Sequence, residues 1–323
     1  MQPFPVASFL KSSVSDSKTQ TITGFEWMLL VLLSVVWSGS FFFNGIIALR
    51  EFPTMSIVTI RVGLAALSLL FLTRMLGQGI QLNRQILKAF FGMSFLNNVV
   101  PFSLIVWGQQ HIASGVASIL NATTPLLTML VAHWFTTDEK INPRRLLGVL
   151  TGMGGVGLMM GLDSMESSGF HLLGQSAILL AAFSYGLAGV YGKRFAQLEI
   201  PPLATATGQL CASSMILIPL TLWIDQPWTF AMPSIEGMGS LLGIALLSTA
   251  LAYVIYFRLL KTAGATNLLL VTLLIPVSAI ILGVFLLDES LEPQHLSGMA
   301  VISLGLLIMD GRLLQFFRKT FPA

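Results

Sequence analysis

The chain has 323 residues, of which 54% are hydrophobic and 10% charged, with a formal net charge of +3. Soluble domains average about 25% charged residues, so a soluble globular enzyme is excluded and an all-α integral membrane fold is expected. A single cysteine, Cys211, rules out an intramolecular disulfide and any multi-cysteine metal site.

Residues 1–25 are polar and rich in serine. They lack the basic region, apolar core and small-residue cleavage site of a signal peptide, which predicts a cytoplasmic tail ahead of a retained first span. Ten apolar spans are predicted, at 27–49, 54–73, 86–107, 113–135, 145–162, 173–192, 203–224, 238–259, 266–287 and 295–311. Most approach the roughly 20 residues that cross ~30 Å of hydrocarbon. The fifth and tenth are short, and the brief connections leave no room for a soluble domain.

One pattern appears twice along this series. Asp138-Glu139-Lys140-Ile141-Asn142-Pro143 precedes Leu146, Gly148, Gly155, Met159 and Gly161. Asp288-Glu289-Ser290-Leu291-Glu292-Pro293 precedes Leu296, Gly298, Gly305, Met309 and Gly311. Matched residues are 150 apart, which predicts a duplicated half, the first repeat over 26–162 and the second over 163–323. Five spans per half is an odd number, so the second repeat is expected upside down relative to the first, as in membrane transporters. Proline suits the first turn of a helix, so spans five and ten are expected to begin at Pro143 and Pro293, capped by Asn142 and Glu292. Asp138-Glu139 and Asp288-Glu289 are expected to anchor those turns.

Of the 17 basic residues, 15 fall on one side if the amino terminus is cytoplasmic. They are Lys11, Lys18, Arg74, Arg84, Lys88, Lys140, Arg144, Arg145, Lys193, Arg194, Arg258, Lys261, Arg312, Arg318 and Lys319. Arg50 lies outside and Arg61 within a span, whereas the outer loops carry Glu51, Asp163, Glu166, Asp225, Glu236, Asp288, Glu289 and Glu292. This distribution predicts both termini in the cytoplasm. It also accounts for the basic pI without a nucleic-acid partner.

Several residues form an ordered set. Trp37-Ser38-Gly39-Ser40, Pro53 with Arg61, Pro125, and Asp138-Glu139 before Gly148 mark the first half. The second half repeats them as Tyr185-Gly186, Pro201 with Gln209, Pro276, and Asp288-Glu289 before Gly298. This set, spread over nearly the whole chain after the tail, resembles the drug/metabolite transporter superfamily, specifically its ten-span members with two EamA-type repeats. The first half departs from it with Asp-Glu-Lys-Ile where many members carry a Glu-Arg-Leu-like segment. The resemblance implies export of small metabolites, often amino acids or related compounds, across a bacterial inner membrane.

Arg61 follows Pro53 by eight residues, about 12 Å along a helix and close to the bilayer midplane. An arginine there costs roughly 2.5–3.5 kcal/mol to insert, so it should face a polar cavity or a partner. Two roles fit: a fork for a substrate carboxylate, or a structural group that bonds backbone carbonyls or snorkels outward. Its counterpart, 148 residues on, is the neutral Gln209. Pro101, Pro125 and Pro276 are candidate hinges, because each frees the carbonyl four residues earlier, at Asn97, Asn121 and Thr272. Asn97 and Asn98 correspond to Ser248 and Thr249, which suggests a central cavity lined by Asn97, Asn98, Asn121, Ser248, Thr249 and Thr272. The alternative is ordinary helix–helix hydrogen bonding, worth about 0.6 kcal/mol each. Trp37, Phe41, Phe102, Tyr185 and Tyr253 lie towards mid-span and could add aromatic lining; Phe41 and Phe102 read rather as packing, and Trp37 and Tyr185 are favoured because their N–H and O–H need partners in lipid.

Gly152-Met153-Gly154-Gly155-Val156-Gly157 matches a dinucleotide fingerprint in spacing but has no preceding strand, so helix packing through Gly148/Gly152 and Gly157/Gly161 is expected instead. No Asp or Glu is mid-span, and no Ser–His–Asp set or metal-spaced His cluster shares a face, so no cofactor, metal or enzymatic activity is expected. The expected partners are a small-molecule substrate and the bilayer, with a homodimer left open. The alternatives are a sugar-phosphate or nucleotide-sugar carrier and a non-transporting scaffold; a doubly charged phosphate favours more than one buried cation, and only Arg61 is supplied.

Overall fold

The computed structural model describes residues 23–44, 51–77, 82–136, 141–160, 169–263, 268 and 270–310. Every regular element among them is helical. In chain order they are α1 (Gly24–Phe43), α2 (Thr54–Met75), α3 (Arg84–Ser94), α4 (Val100–Gly108), α5 (Ser114–Asn121), α6 (Thr124–Phe135) and α7 (Pro143–Met160). There follow α8 (Gly169–Gln197), α9 (Pro202–Ile224), α10 (Ile235–Leu242), α11 (Ala252–Thr262), α12 (Val271–Leu287) and α13 (Pro293–Asp310). Seven stretches among the described residues are long and apolar enough to cross a membrane: α1, α2, α3 through α4, α5 through α6, α8, α9, and α10 through α11. The remaining three predicted spans correspond to shorter apolar helices, Leu146–Leu158, Leu274–Leu287 and Pro293–Ile308.

Local chemistry sets several helix starts. Thr23 and Glu26 form a reciprocal capping box on α1, and Asn83 Oδ1 accepts from the Ile86 amide at 2.8 Å to cap α3. Helices α7 and α13 begin at Pro143 and Pro293, where the missing proline N–H costs nothing.

Two π-helical segments interrupt the third and eighth predicted spans. Phe95–Val99 joins α3 to α4, and Gly243–Leu251 joins α10 to α11. The first runs up to Pro101, which lies in the opening turn of α4; the second has no proline near it. Pro125 also marks a break, between α5 and α6, whereas Pro276 lies inside the continuous α12. The Ile275 carbonyl beside it accepts from Ser38 Oγ at 2.8 Å.

Packing follows the duplication. Helix α1 packs on α12 and on the second π segment, and its counterpart α8 packs on α6 and on the first π segment with α4. Helix α2 pairs with its own counterpart α9, and α7 with α13. Two large buried apolar clusters result, one spanning α1, α5, α8, α11 and α12 and the other built on α2, α4 and α9, and Tyr185 packs against both.

The α7–α13 pair depends on glycine. A Cβ at Gly155 would come 2.9 Å from the Gly298 carbonyl oxygen, and one at Gly305 would come 2.6 Å from that of Gly148. The seam is therefore Gly148, Gly152 and Gly155 against Gly298 and Gly305, not the predicted Gly157/Gly161 pair. Open space surrounds Gly157, and Gly161 lies outside the described residues. Gly155→Leu is expected to destabilise the fold by about 1–3 kcal/mol through overpacking, with Gly157→Leu near neutral. Thermal unfolding in detergent measures the contrast.

The end at which α2 begins is rich in polar contacts. Asp225, after α9, accepts from the Ser56 amide and hydroxyl at 2.6 and 2.7 Å. Glu289 does not merely anchor its own turn: its carboxylate accepts from the Ser114 and Gly115 amides at 2.8 and 3.0 Å. Glu51 accepts from the Ser234 amide and hydroxyl at 2.8 and 2.5 Å, which holds its carboxyl below the usual range. Asp138 and Glu139 lie outside the described residues.

Candidate functional site

Between the α2–α9 pair and the two π segments, side chains from both repeats meet. Arg61 on α2 is 6% exposed. Its Nε donates to Thr249 Oγ1 at 2.9 Å, and its guanidinium lies 3.9 Å above the Phe102 ring centroid. Thr249 can hold that position because its own hydroxyl donates to the Ile244 carbonyl, five residues back in the π segment, at 2.9 Å. No Asp or Glu pairs with Arg61 among the described residues, and its two Nη groups make no hydrogen bond there. Arg61 is also the one lysine or arginine among the buried residues described.

A second knot adjoins it. Asn97 Nδ2 donates to Gln209 Oε1 at 3.2 Å and to Tyr253 Oη at 3.3 Å, while Gln209 Nε2 donates to Tyr253 Oη at 3.2 Å. Tyr253 and Tyr185 both lie within electrostatic reach of Arg61. Beside them Asn98 donates to Ser213 Oγ at 2.9 Å, but its fully buried Oδ1 has no partner among the described residues. Ser248 Oγ is likewise buried without a described partner, close to the Cα of Gly39. The positions thus brought together are Arg61, Asn97, Asn98, Gln209, Thr249, Tyr253 and Tyr185.

Trp37 and Asn121 stand apart from that group. Trp37 packs its ring on Tyr256 at 5.7 Å, and Tyr256 continues through Phe257 at 5.2 Å to Tyr253, stacked on Phe257 at 5.9 Å. Asn121 ends α5, its Oδ1 buried and unpartnered among the described residues, with no hydrogen bond to the Arg61 group. Ser213 and Tyr256 were not singled out from sequence, although both follow a chosen residue at helical spacing, four after Gln209 and three after Tyr253. The surface grooves lie elsewhere. One of about 460 Å³ is lined by Phe52, Thr59, Ile218, Thr221 and Phe230, and another of about 470 Å³ by Met55, Ser103, Trp107 and Gln110. Neither is lined by the residues assigned to a central cavity.

This geometry has relatives. Residues 25–161 and 172–309 each match the model of the EamA-like transporter family. The chain is 24% identical to the uncharacterized transporter YoaV of Bacillus subtilis, over 81% of this chain and 89% of that one. It is 26% identical to the uncharacterized inner membrane transporter YedA of Escherichia coli, over 91% and 92%. A solved crystal structure superposes over 90% of this chain and 98% of its own, with a TM-score of 0.60 at 15% identity, a likeness of fold. The duplicated match over most of the chain places this multi-pass membrane protein in the EamA-like transporter family.

Proposed function

We propose that the protein exports small organic metabolites bearing a carboxylate, amino acids or related compounds, across a bacterial inner membrane by alternating access. The observation that carries this reading is Arg61: a buried guanidinium, steadied by Thr249 and Phe102, with its two-pronged end unpaired among the described residues. Such a fork matches a carboxylate by two charge-assisted hydrogen bonds. Asn97, Gln209 and Tyr253 offer neutral donors and acceptors alongside, suited to the rest of a small polar molecule. A single buried cation among the described residues favours a carboxylate over a phosphate.

The proposed topology has ten spans in two inverted repeats with both termini cytoplasmic. It is supported by the distribution of basic residues and by the paired packing of α1 with α12 and α8 with α6. Reporter fusions after Lys140 and after Glu292 are expected to report opposite faces; a shared face removes the inversion. Transport itself is tested by comparing metabolites in the medium of overexpressing and control cells. Enrichment of carboxylate compounds outside is expected, and medium indistinguishable from control counts against export.

A further inference from the structure

Three carboxylates at one end of the molecule share an unusual arrangement. Each accepts two hydrogen bonds from the start of a helix in the opposite repeat: Asp225 from Ser56 of α2, Glu289 from Ser114 and Gly115 of α5, and Glu51 from Ser234 ahead of α10. Helices α2 and α5 need this help. Pro53 and Ala113 precede them and supply no side-chain cap, so their first amides would otherwise lack protein partners. Within the first repeat, neutral links brace the same end, as Gln109 joins Asn44 at 3.0 Å and Ser114 at 3.2 Å, and Gln110 reaches Thr54 at 3.1 Å.

The opposite end is described only in part, since Glu139, the repeat counterpart of Glu289, and residues 264–267 lie outside the described residues. Subtracting 148 from Asp225 gives Gly77, and adding 148 to Ser56 gives Ala204, so neither half of that bond has a counterpart. There Glu26 caps its own helix. Among the described residues, no carboxylate at that end holds a backbone N–H of the other repeat. The interface of α2 with α9 is bridged near both ends, by the hydroxyls of Thr59 and Thr221 at 2.5 Å near the clasped end and by those of Thr73 and Thr207 at 3.3 Å near the other.

We infer that Asp225, Glu289 and Glu51 form a clasp between the repeats that holds the outer face shut, and that its release is the outward-opening step. This rests on the alternating-access reading and on the topology above, which puts all three residues outside. Carboxylate bonds to helix N-terminal amides are the stronger, charge-assisted kind. At the water-facing end every group released can be rehydrated, so the clasp is reversible rather than a permanent weld.

The test needs no substrate. In a Cys211→Ser background, Asn97→Cys serves as reporter, labelled by a membrane-impermeant maleimide in intact cells and in inverted vesicles. With the clasp intact, labelling is expected from the cytoplasmic face. Combining Asp225→Ala, Glu289→Ala and Glu51→Ala is expected to raise labelling in intact cells at least tenfold and to lower it in inverted vesicles. Labelling within twofold of the intact protein, at an unchanged thermal midpoint, overturns the clasp. If the triple variant does not fold, Glu51→Ala decides in its place: a twofold or greater rise in intact cells supports the clasp, and no rise overturns it. A rise confined to inverted vesicles keeps the clasp and reverses the proposed orientation. A wrong substrate class alters none of these readouts.

Discussion

Arg61→Gln is expected to weaken binding of a carboxylate substrate roughly 10- to 150-fold while the protein still reaches the membrane. The figure is the loss of a charge-assisted contact of about 1.5–3 kcal/mol. Arg61→Lys should recover only part of it, because an ammonium keeps the charge but not the planar two-pronged geometry. It also stacks less well on the Phe102 ring than a guanidinium does. A purely structural arginine predicts the reverse pattern, with lowered thermal stability in both variants and normal affinity in whatever folds. Binding by calorimetry or scintillation proximity, beside a melting curve, separates the two. Normal affinity in well-folded Arg61→Gln removes the binding role.

Thr249→Val should produce nearly as large a loss by a different route. Valine keeps the shape of threonine and removes the hydroxyl that accepts from Arg61 Nε and donates to the Ile244 carbonyl. The guanidinium then keeps its charge and its Phe102 contact but loses the bond that sets its direction. A hydrogen bond to a charged group contributes about 1.5–3 kcal/mol, so an affinity loss of roughly 10-fold or more is expected. Thr249→Ser should restore most of it, since the hydroxyl returns. Failure of serine to rescue would mean that the methyl group, not the hydroxyl, matters at this position.

Much of the architecture is legible from residues alone because a membrane demands long apolar stretches, and a duplication leaves matched residues at a constant offset. Helices α7 and α13 begin at the two prolines that the repeated pattern marks. The Arg61 group was assembled from pseudo-symmetric positions, which works when both repeats keep a polar residue at the same depth. The π segments were hidden, since one extra residue per turn barely disturbs the pattern of a span that is apolar all round. Proline was a poor guide to them: Pro101 follows one, none lies near the other, and Pro276 sits in unbroken helix. Phe102 looked like packing because nothing in a sequence says which phenylalanine lies under a guanidinium. In sequence Glu289 belongs with its own turn, because its true partners, Ser114 and Gly115, are 175 and 174 residues away.

The absence of any carboxylate beside Arg61 among the described residues has an electrical consequence. In alternating access the membrane potential falls across whichever gate is closed, so the site takes the potential of the side to which it opens. An empty carrier then holds one uncompensated positive charge, worth about 2.3 kcal/mol per 100 mV. With the cytoplasm negative, that term draws the empty site to face inward, where the proposed exporter would collect its cargo. A bound monocarboxylate cancels the charge, and the loaded carrier turns outward without working against the field. A zwitterion leaves the charge in place and turns outward against it. In proteoliposomes clamped with potassium and valinomycin and holding saturating cargo on both sides, so that only the loaded carrier turns, exchange of a simple carboxylate should therefore depend less on voltage than exchange of an amino acid. The reverse order would mean that Arg61 is neutralised by some group other than the cargo.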